Sequence, residues 1–278
     1  MDTQTATARG RGQARRVAHS TAMEGAARAG FVARGVIYLL VGALALRIAF
    51  PGGGNQQADR GGAISEVASR PFGAVLLWLL GAALVGMALW RLSEALFGQA
   101  GPDGHKPAKR AAAAGRFLFY SFVAYSVLAF AAGDSGSGSS DQQTRDVTAL
   151  ALKLPAGQWV VGLGGLAVGV AGLWIAGRAL LRKFRKRLNM SGASRAVRRA
   201  VDFVGMFGGA ARGAVFATAG GFAVAAAVRH APGESKGMDD TLRSFASTPV
   251  GPWLLVLIAV GLLAFGVFSW ANARYRKV

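Results

Sequence analysis

Arg34-Gly35-Val36-Ile37-Tyr38 opens a long apolar stretch, and the chain returns to that pattern twice, at Arg116-Phe117-Leu118-Phe119-Tyr120 and Arg212-Gly213-Ala214-Val215-Phe216. Each stretch leads into a polar loop, then a Pro-x-Gly, then a second apolar stretch; the three Pro-x-Gly are Pro71-Phe72-Gly73, Pro155-Ala156-Gly157 and Pro249-Val250-Gly251. The unit is a pair of membrane-crossing segments, present three times. The six segments run at about 26–50, 72–92, 111–132, 157–181, 204–228 and 251–273. Each approaches the ~20 residues that cross ~30 Å of hydrocarbon. Helices are expected, because an open strand cannot satisfy its backbone in lipid.

Composition agrees. Of 278 residues, 53% are hydrophobic and 16% charged, against roughly 25% charged in soluble domains. The 40 glycines fit closely packed membrane helices. The absence of cysteine excludes disulfides, thiolate metal sites and a cysteine nucleophile. The three histidines, His19, His105 and His230, lie far apart in polar segments, so no histidine metal cluster is expected. There is no Walker loop, Gly-x-Ser-x-Gly or His-Glu-x-x-His, and no pair of carboxylates within a span. No catalytic residue, cofactor or metal follows from the sequence.

The net charge of +19 would fit a nucleic-acid partner, but its distribution argues for membrane topology. The two termini and the connections after the second and fourth segments, with the helix ends flanking them, hold 24 of the 32 Lys and Arg and 5 of the 13 acids. The other three connections, with Arg47 at the end of the first segment, hold 8 Lys and Arg and 8 acids and are neutral overall. The positive-inside rule makes the basic face, with both termini, cytoplasmic. The strongest cue is Arg182-Lys183-Phe184-Arg185-Lys186-Arg187. That run can attract anionic lipid at ~1 kcal/mol per cation; an acidic partner, or plain topogenic charge, is the alternative. The tryptophans fall in pairs on the even segments, Trp78 with Trp90, Trp159 with Trp174 and Trp253 with Trp270, as in interfacial aromatic belts.

The organisation expected is a basic tail (1–25) and three repeats (26–98, 108–188, 200–278). Upstream of each Pro-x-Gly an i, i+3, i+4 apolar stripe predicts a short amphipathic helix on the outer surface. Nine residues before each proline stand Gly62, Asp146 and Asp240; the two aspartates are expected to be its N-caps. The prolines are expected to open the next spanning helix. Because each unit has two spans, all three insert in the same orientation, which gives an all-α polytopic bundle of parallel helical hairpins around a pseudo-threefold axis. Gly165-x-x-x-Gly169 and Gly209-x-x-x-Gly213 have close-packing spacings.

The unit Ala-Arg-x-Gly-Phe-Val-Ala-Arg34-Gly-Val-Ile-Tyr38-Leu-Leu-x-Gly, with its three tandem copies and basic loops, resembles the bacterial membrane family known as domain of unknown function 1206, over about residues 24–278. The second copy lacks the Gly after Arg116, and the third has Phe216 in place of Tyr. The resemblance implies an integral membrane protein of three two-helix repeats and lends no activity. Mitochondrial carriers share the three-repeat architecture, but their Pro-x-Asp/Glu-x-x-Lys/Arg signature has no counterpart, since no odd segment contains proline.

Arg34, Arg116 and Arg212 each sit one to two turns inside an odd segment, with Tyr38, Tyr120 and Phe216 four residues on along the same helix face. A charge within a span marks a functional site by default. Three around a pseudo-threefold form a cationic ring for an anionic solute or a lipid headgroup; snorkelling to the phosphates is the structural alternative. Glu94, Arg178 and Asn272 are repeat-equivalent at the inner ends of the even segments, and Glu94 is expected to pair with Arg34 or Arg178. The function classes are a non-catalytic structural, membrane-organising or lipid- and partner-binding protein, a transporter or channel for a small solute such as an anion, and, last, a lipid-modifying enzyme. Where the three arginines point separates them.

Overall fold

A computed structural model describes residues 21–50, 57–98, 106–134, 140–246 and 251–276. Most of the basic tail, the loops around Gly53 and Ser137, and Pro249 lie outside the described residues. The first repeat contains α1 (Thr21–Ala49), α2 (Arg60–Ala68) and α3 (Gly73–Phe97). The second contains α4 (Pro107–Ala131), α5 (Ser140–Leu152) and α6 (Gly157–Leu180), and the third α7 (Arg195–Arg229), α8 (Met238–Ala246) and α9 (Gly251–Tyr275). The described residues form no strand beyond an isolated bridge between Leu188 and Arg276. Six helices, α1, α3, α4, α6, α7 and α9, are long and apolar enough to cross a membrane. The protein is an all-α polytopic membrane protein of three parallel two-span repeats. Below, its two ends are the basic face, where α1 begins and α9 ends, and the far face, which carries α2, α5 and α8.

α7 starts at Arg195, well before its apolar stretch. Ser194 caps it by accepting from the Val197 N–H at 3.3 Å, so the polar prefix continues the helix out of the apolar layer.

The three short helices stand where the stripe predicts, but their caps differ from expectation. Asp59 caps α2, accepting from the Gly62 N–H at 2.8 Å. Asp146 lies inside α5 and Asp240 is already the third residue of α8. Both helices begin earlier, and the acids of their first turns, Asp141 and Asp239, reach across to other repeats. Asp239 accepts from the Ala58 N–H at 2.8 Å, ahead of α2. Asp141 accepts from the Asp240 N–H at 3.3 Å. Carboxylates beside helix N-termini are favoured by the exposed N–H groups and the helix dipole. Here they also link repeats three to one and two to three.

In the first two copies the Pro-x-Gly is a turn that leads directly into the spanning helix, with the proline two residues ahead of it and the glycine as its first residue. Gly73 donates to the Arg70 carbonyl and Gly157 to the Leu154 carbonyl, both at 2.8 Å. Between them Phe72 and Ala156 take positive φ, 62° and 61°. Proline second and a left-handed residue third define a type II turn. The glycine is obligatory. A Cβ on Gly73 would lie 2.4 Å from the Val67 carbonyl oxygen, and one on Gly157 2.0 Å from that of Ala151.

The closest packing is between repeats. α1 lies along α9, α3 along α4, and α6 along α7. Within repeats, α1 meets α3 and α7 meets α9, but α4 and α6 make next to no contact. The ring of six spans is therefore parted at one place. Glycines set the seams. A Cβ on Gly213 would lie 2.6 Å from the Ala176 nitrogen, and one on Gly220 2.3 Å from the Gly169 nitrogen. Gly165 and Gly209 face the same α6/α7 seam. In lipid, where apolar burial drives little association, such backbone approach supplies the packing attraction. Gly35 and Gly266 do the same between α1 and α9. The belt of exposed apolar residues, including Leu79, Leu163, Trp159, Trp174 and Trp253, faces outward to lipid. Trp90 departs from the aromatic-belt expectation, since it is buried against Phe31 with ring centroids 5.5 Å apart.

Two expectations follow. Gly220→Val should destabilise the detergent-solubilised protein by about 1–3 kcal/mol through overpacking. Gly221→Val, with nothing within 4 Å of its Cβ, should leave the thermal midpoint nearly unchanged. The second concerns pH. Burial pushes the Asp141 carboxyl up to about 6; the Asp240 N–H opposes this, and the charges of Asp240, Asp239 and Asp59 add to it. Its unfolded value is about 3.9, so the protonated form favours the folded state. That stability is complete below about pH 4 and is lost as pH rises through about 6. Thermal scans should show this loss in the wild type and not in Asp141→Asn; parallel profiles would refute it.

Candidate functional site

The centre of the ring is hollow. A cavity of about 630 Å³ runs between α1, α4, α6 and α7, with α5 and the Ser235–Met238 segment over its far end. Its walls are apolar, built by residues such as Val41, Leu84, Val123, Val161, Val168 and Val215. Glycine at 164 and 165 widens it on the α6 side. α4 and α6 both line it without packing on each other, so its wall is interrupted there, facing the lipid. α5 is held over it by the third repeat. Thr148 donates to the Ser235 hydroxyl at 3.0 Å, and Arg145 is paired with Asp240.

Of the three repeat-equivalent arginines, Arg34 and Arg212 line the cavity, together with Tyr38, Tyr120 and Phe216. Arg34 is 15 residues from the far end of α1 and Arg212 17 residues from that of α7. At ~1.5 Å per residue they lie roughly 22–26 Å from the far face, and they form the cavity's floor.

The Arg–Tyr hydrogen bonds run between repeats. Arg34 of the first repeat donates to the Tyr120 hydroxyl of the second at 3.3 Å, and to the Ser269 hydroxyl at 3.0 Å. Arg212 of the third donates to the Tyr38 hydroxyl of the first at 2.7 Å. The same cyclic rule would pair Arg116 of the second with residue 216 of the third. That residue is phenylalanine, and the Arg116 Nη1 is buried without a hydrogen-bond partner. Phe265 carries both floor cations, with the Arg34 guanidinium carbon 5.2 Å and that of Arg212 5.0 Å from its ring centroid. Cation–π attraction thus replaces part of the lost hydration.

Toward the basic face lies a second layer. Glu94 bonds Arg91 at 2.5 Å, and both are buried. This corrects the expectation of Arg34 or Arg178 as its partner. Arg91 is three residues away on the same helix, whereas Arg34 is held by Ser269 and Tyr120, and Arg178 lies over Trp174. Asn272 donates to the Phe268 carbonyl. The basic run divides: Arg182, Lys183 and Lys186 are exposed, Arg185 is paired with Asp202, and Arg187 is partly buried beside Arg91 and Glu94.

Sequence reasoning missed Arg91, Ser269 and Arg276. Arg91 could have been found, being a charge within the second apolar segment. Ser269 is an ordinary residue of a spanning helix, and nothing in the sequence marks it as the Arg34 acceptor.

The architecture and the half-buried floor cations define a class: a three-repeat, six-span membrane protein with a central cavity. The model of the family described as Domain of Unknown Function (DUF1206) matches residues 29–98, 111–182 and 207–276. The chain belongs to that family. It is similar to the "Uncharacterized protein YxxB" of Bacillus subtilis (strain 168), 27% identical over 256 residues and covering 90% of each chain. No solved structure matches.

Tyr120→Phe removes an acceptor from the half-buried Arg34 guanidinium and should cost about 1.5–3 kcal/mol of stability. An unchanged thermal midpoint would refute the contribution of this bond between repeats.

Proposed function

We propose that the protein is a non-catalytic binding protein for an anionic amphiphile within the bacterial plasma membrane. The observation that carries this reading is the convergence of Arg34 and Arg212, from different repeats, on the floor of an apolar cavity. An apolar chain would fill the cavity and leave through the interruption between α4 and α6. Its carboxylate or phosphate would rest on the two guanidinium groups, which present fixed donors suited to planar or tetrahedral oxyanions. Tyr38 and Tyr120 would reorient to donate to the same oxygens, since a phenol both accepts and donates. A neutral or zwitterionic headgroup would leave buried positive charge uncompensated.

The charge asymmetry of the connections supports an orientation with both termini and the basic face in the cytoplasm. There the exposed Arg182, Lys183 and Lys186 would rest on anionic headgroups, with Arg185 and Arg187 of the same run engaged with the protein.

The test is native mass spectrometry of the purified full chain, with lipid analysis of an organic extract. The wild type should retain an anionic amphiphile, and an Arg34→Gln/Arg212→Gln variant should retain at least ~10-fold less, from the loss of charge-assisted bonds. Equal retention by both, or retention of zwitterionic lipid alone, would refute the reading.

A further inference from the structure

At the level of the cavity floor and toward the basic face, four arginines from separate segments interact with one carboxylate. They are Arg91 on α3, Arg116 on α4, Arg187 in the turn after α6, and Arg276 just beyond α9. Glu94 bonds Arg91. Arg116, Arg187 and Arg276 each interact electrostatically with both Arg91 and Glu94. Arg91 and Arg276 share the ring of Trp90, at 4.1 and 5.0 Å from its centroid. None of the four lines the cavity.

One carboxylate cannot satisfy this group. The Arg91 Nε, the Arg116 Nη1 and the Arg276 Nε are all buried with no hydrogen-bond partner. Arg91 is only 3% exposed. An unpaired buried donor bears the full cost of its desolvation, more for a charged group, and like charges in a low-dielectric setting repel strongly. Burial lowers the Arg187 pKa, with the charges of Arg178 and Arg91 adding to this and Glu94 opposing it. Arginine escapes such conflict by acquiring an anion rather than by losing its proton. Arg116, Arg187 and Arg276 are only partly buried, so the group is reachable from the basic face. Its depth fits a headgroup: Arg91 is 18 residues from the far-face start of α3, roughly 27 Å at ~1.5 Å per residue, near the other surface of a ~30 Å layer.

We propose that Arg91, Arg116, Arg187 and Arg276 form a second anion site, separate from the cavity, that binds a phosphate group at the basic face. Phosphate presents several acceptor oxygens to guanidinium groups arriving from different directions, which a single carboxylate cannot do. The group belongs either to an anionic phospholipid or to a soluble phosphate. Glu94 competes with it for Arg91. Bound phosphate would tie the first, second and third repeats together at the basic face, as the aspartates do at the far face.

The experiment uses the full chain in phosphatidylcholine nanodiscs, with thermal midpoint as readout. Sodium phosphate is compared with sodium chloride at matched ionic strength, and then nanodiscs containing phosphatidylglycerol are compared with phosphatidylcholine alone. A midpoint raised by inorganic phosphate identifies a soluble ligand, and one raised by phosphatidylglycerol a lipid. In either case Arg116→Gln and Arg276→Gln should weaken the effect ~10-fold. Glu94→Gln should strengthen it, which guards against a variant that simply folds badly. If neither anion shifts the midpoint, or the shift survives undiminished in both arginine variants, the site is refuted. Arg212→Gln, whose charge acts on none of Arg116, Arg187 and Arg276, should leave this response intact, so failure here is distinguishable from failure of the cavity reading.

Discussion

A guanidinium half-buried in an apolar bundle must find acceptors, and the bundle is arranged around that requirement. Arg34 reaches Tyr120 and Ser269, Arg212 reaches Tyr38, and both lie over Phe265. Since each acceptor tyrosine belongs to another repeat, no repeat satisfies its own arginine. The helix seams follow the same logic, with α9 on α1, α3 on α4 and α6 on α7. The aspartates at the far face do likewise, each bonding the backbone of a neighbouring repeat. The repeats are thus interlocked in one cyclic direction at both ends.

The symmetry is broken in the second repeat, in two ways. Arg116 does not line the cavity, the tyrosine that the cyclic rule would give it being Phe216, and it lies in electrostatic reach of Arg91, Glu94 and Arg187. The spans α4 and α6 also stand apart, where the corresponding helices of the other repeats touch. The cavity opens beside this missing contact. A perfect threefold would have closed the ring; the departure creates both a lipid-facing gap and a spare buried cation.

Much of this was legible in the chain. Apolar length and the thrice-repeated Arg and Pro-x-Gly gave six spans and parallel units, because lipid admits few alternatives to helices of that length. The amphipathic stripe gave α2, α5 and α8. Cap positions were misread because alignment on proline assumes equal loop lengths, and the first-turn acids lie at different distances from it. The spanning helices of the first two repeats begin at the glycine of the Pro-x-Gly, two residues after the expected proline, because a type II turn with a non-glycine residue at positive φ intervenes and has no distinct sequence mark. Arg34, Arg212, Tyr38 and Tyr120 stand together at the cavity floor, while Glu94 has Arg91 for its partner.

The sequence by itself determined the periodic quantities: where the chain crosses, how many times, and which residues recur in each copy. These depend on local composition and on a solvent that enforces intrachain hydrogen bonding. Only the tertiary structure decided which repeat answers which arginine, whether the centre is filled, and where the ring parts. Those outcomes depend on distances between side chains more than 80 residues apart, and on glycines such as Gly213 and Gly220 that let two backbones meet. Spacing along a helix carries no record of the helix that will face it.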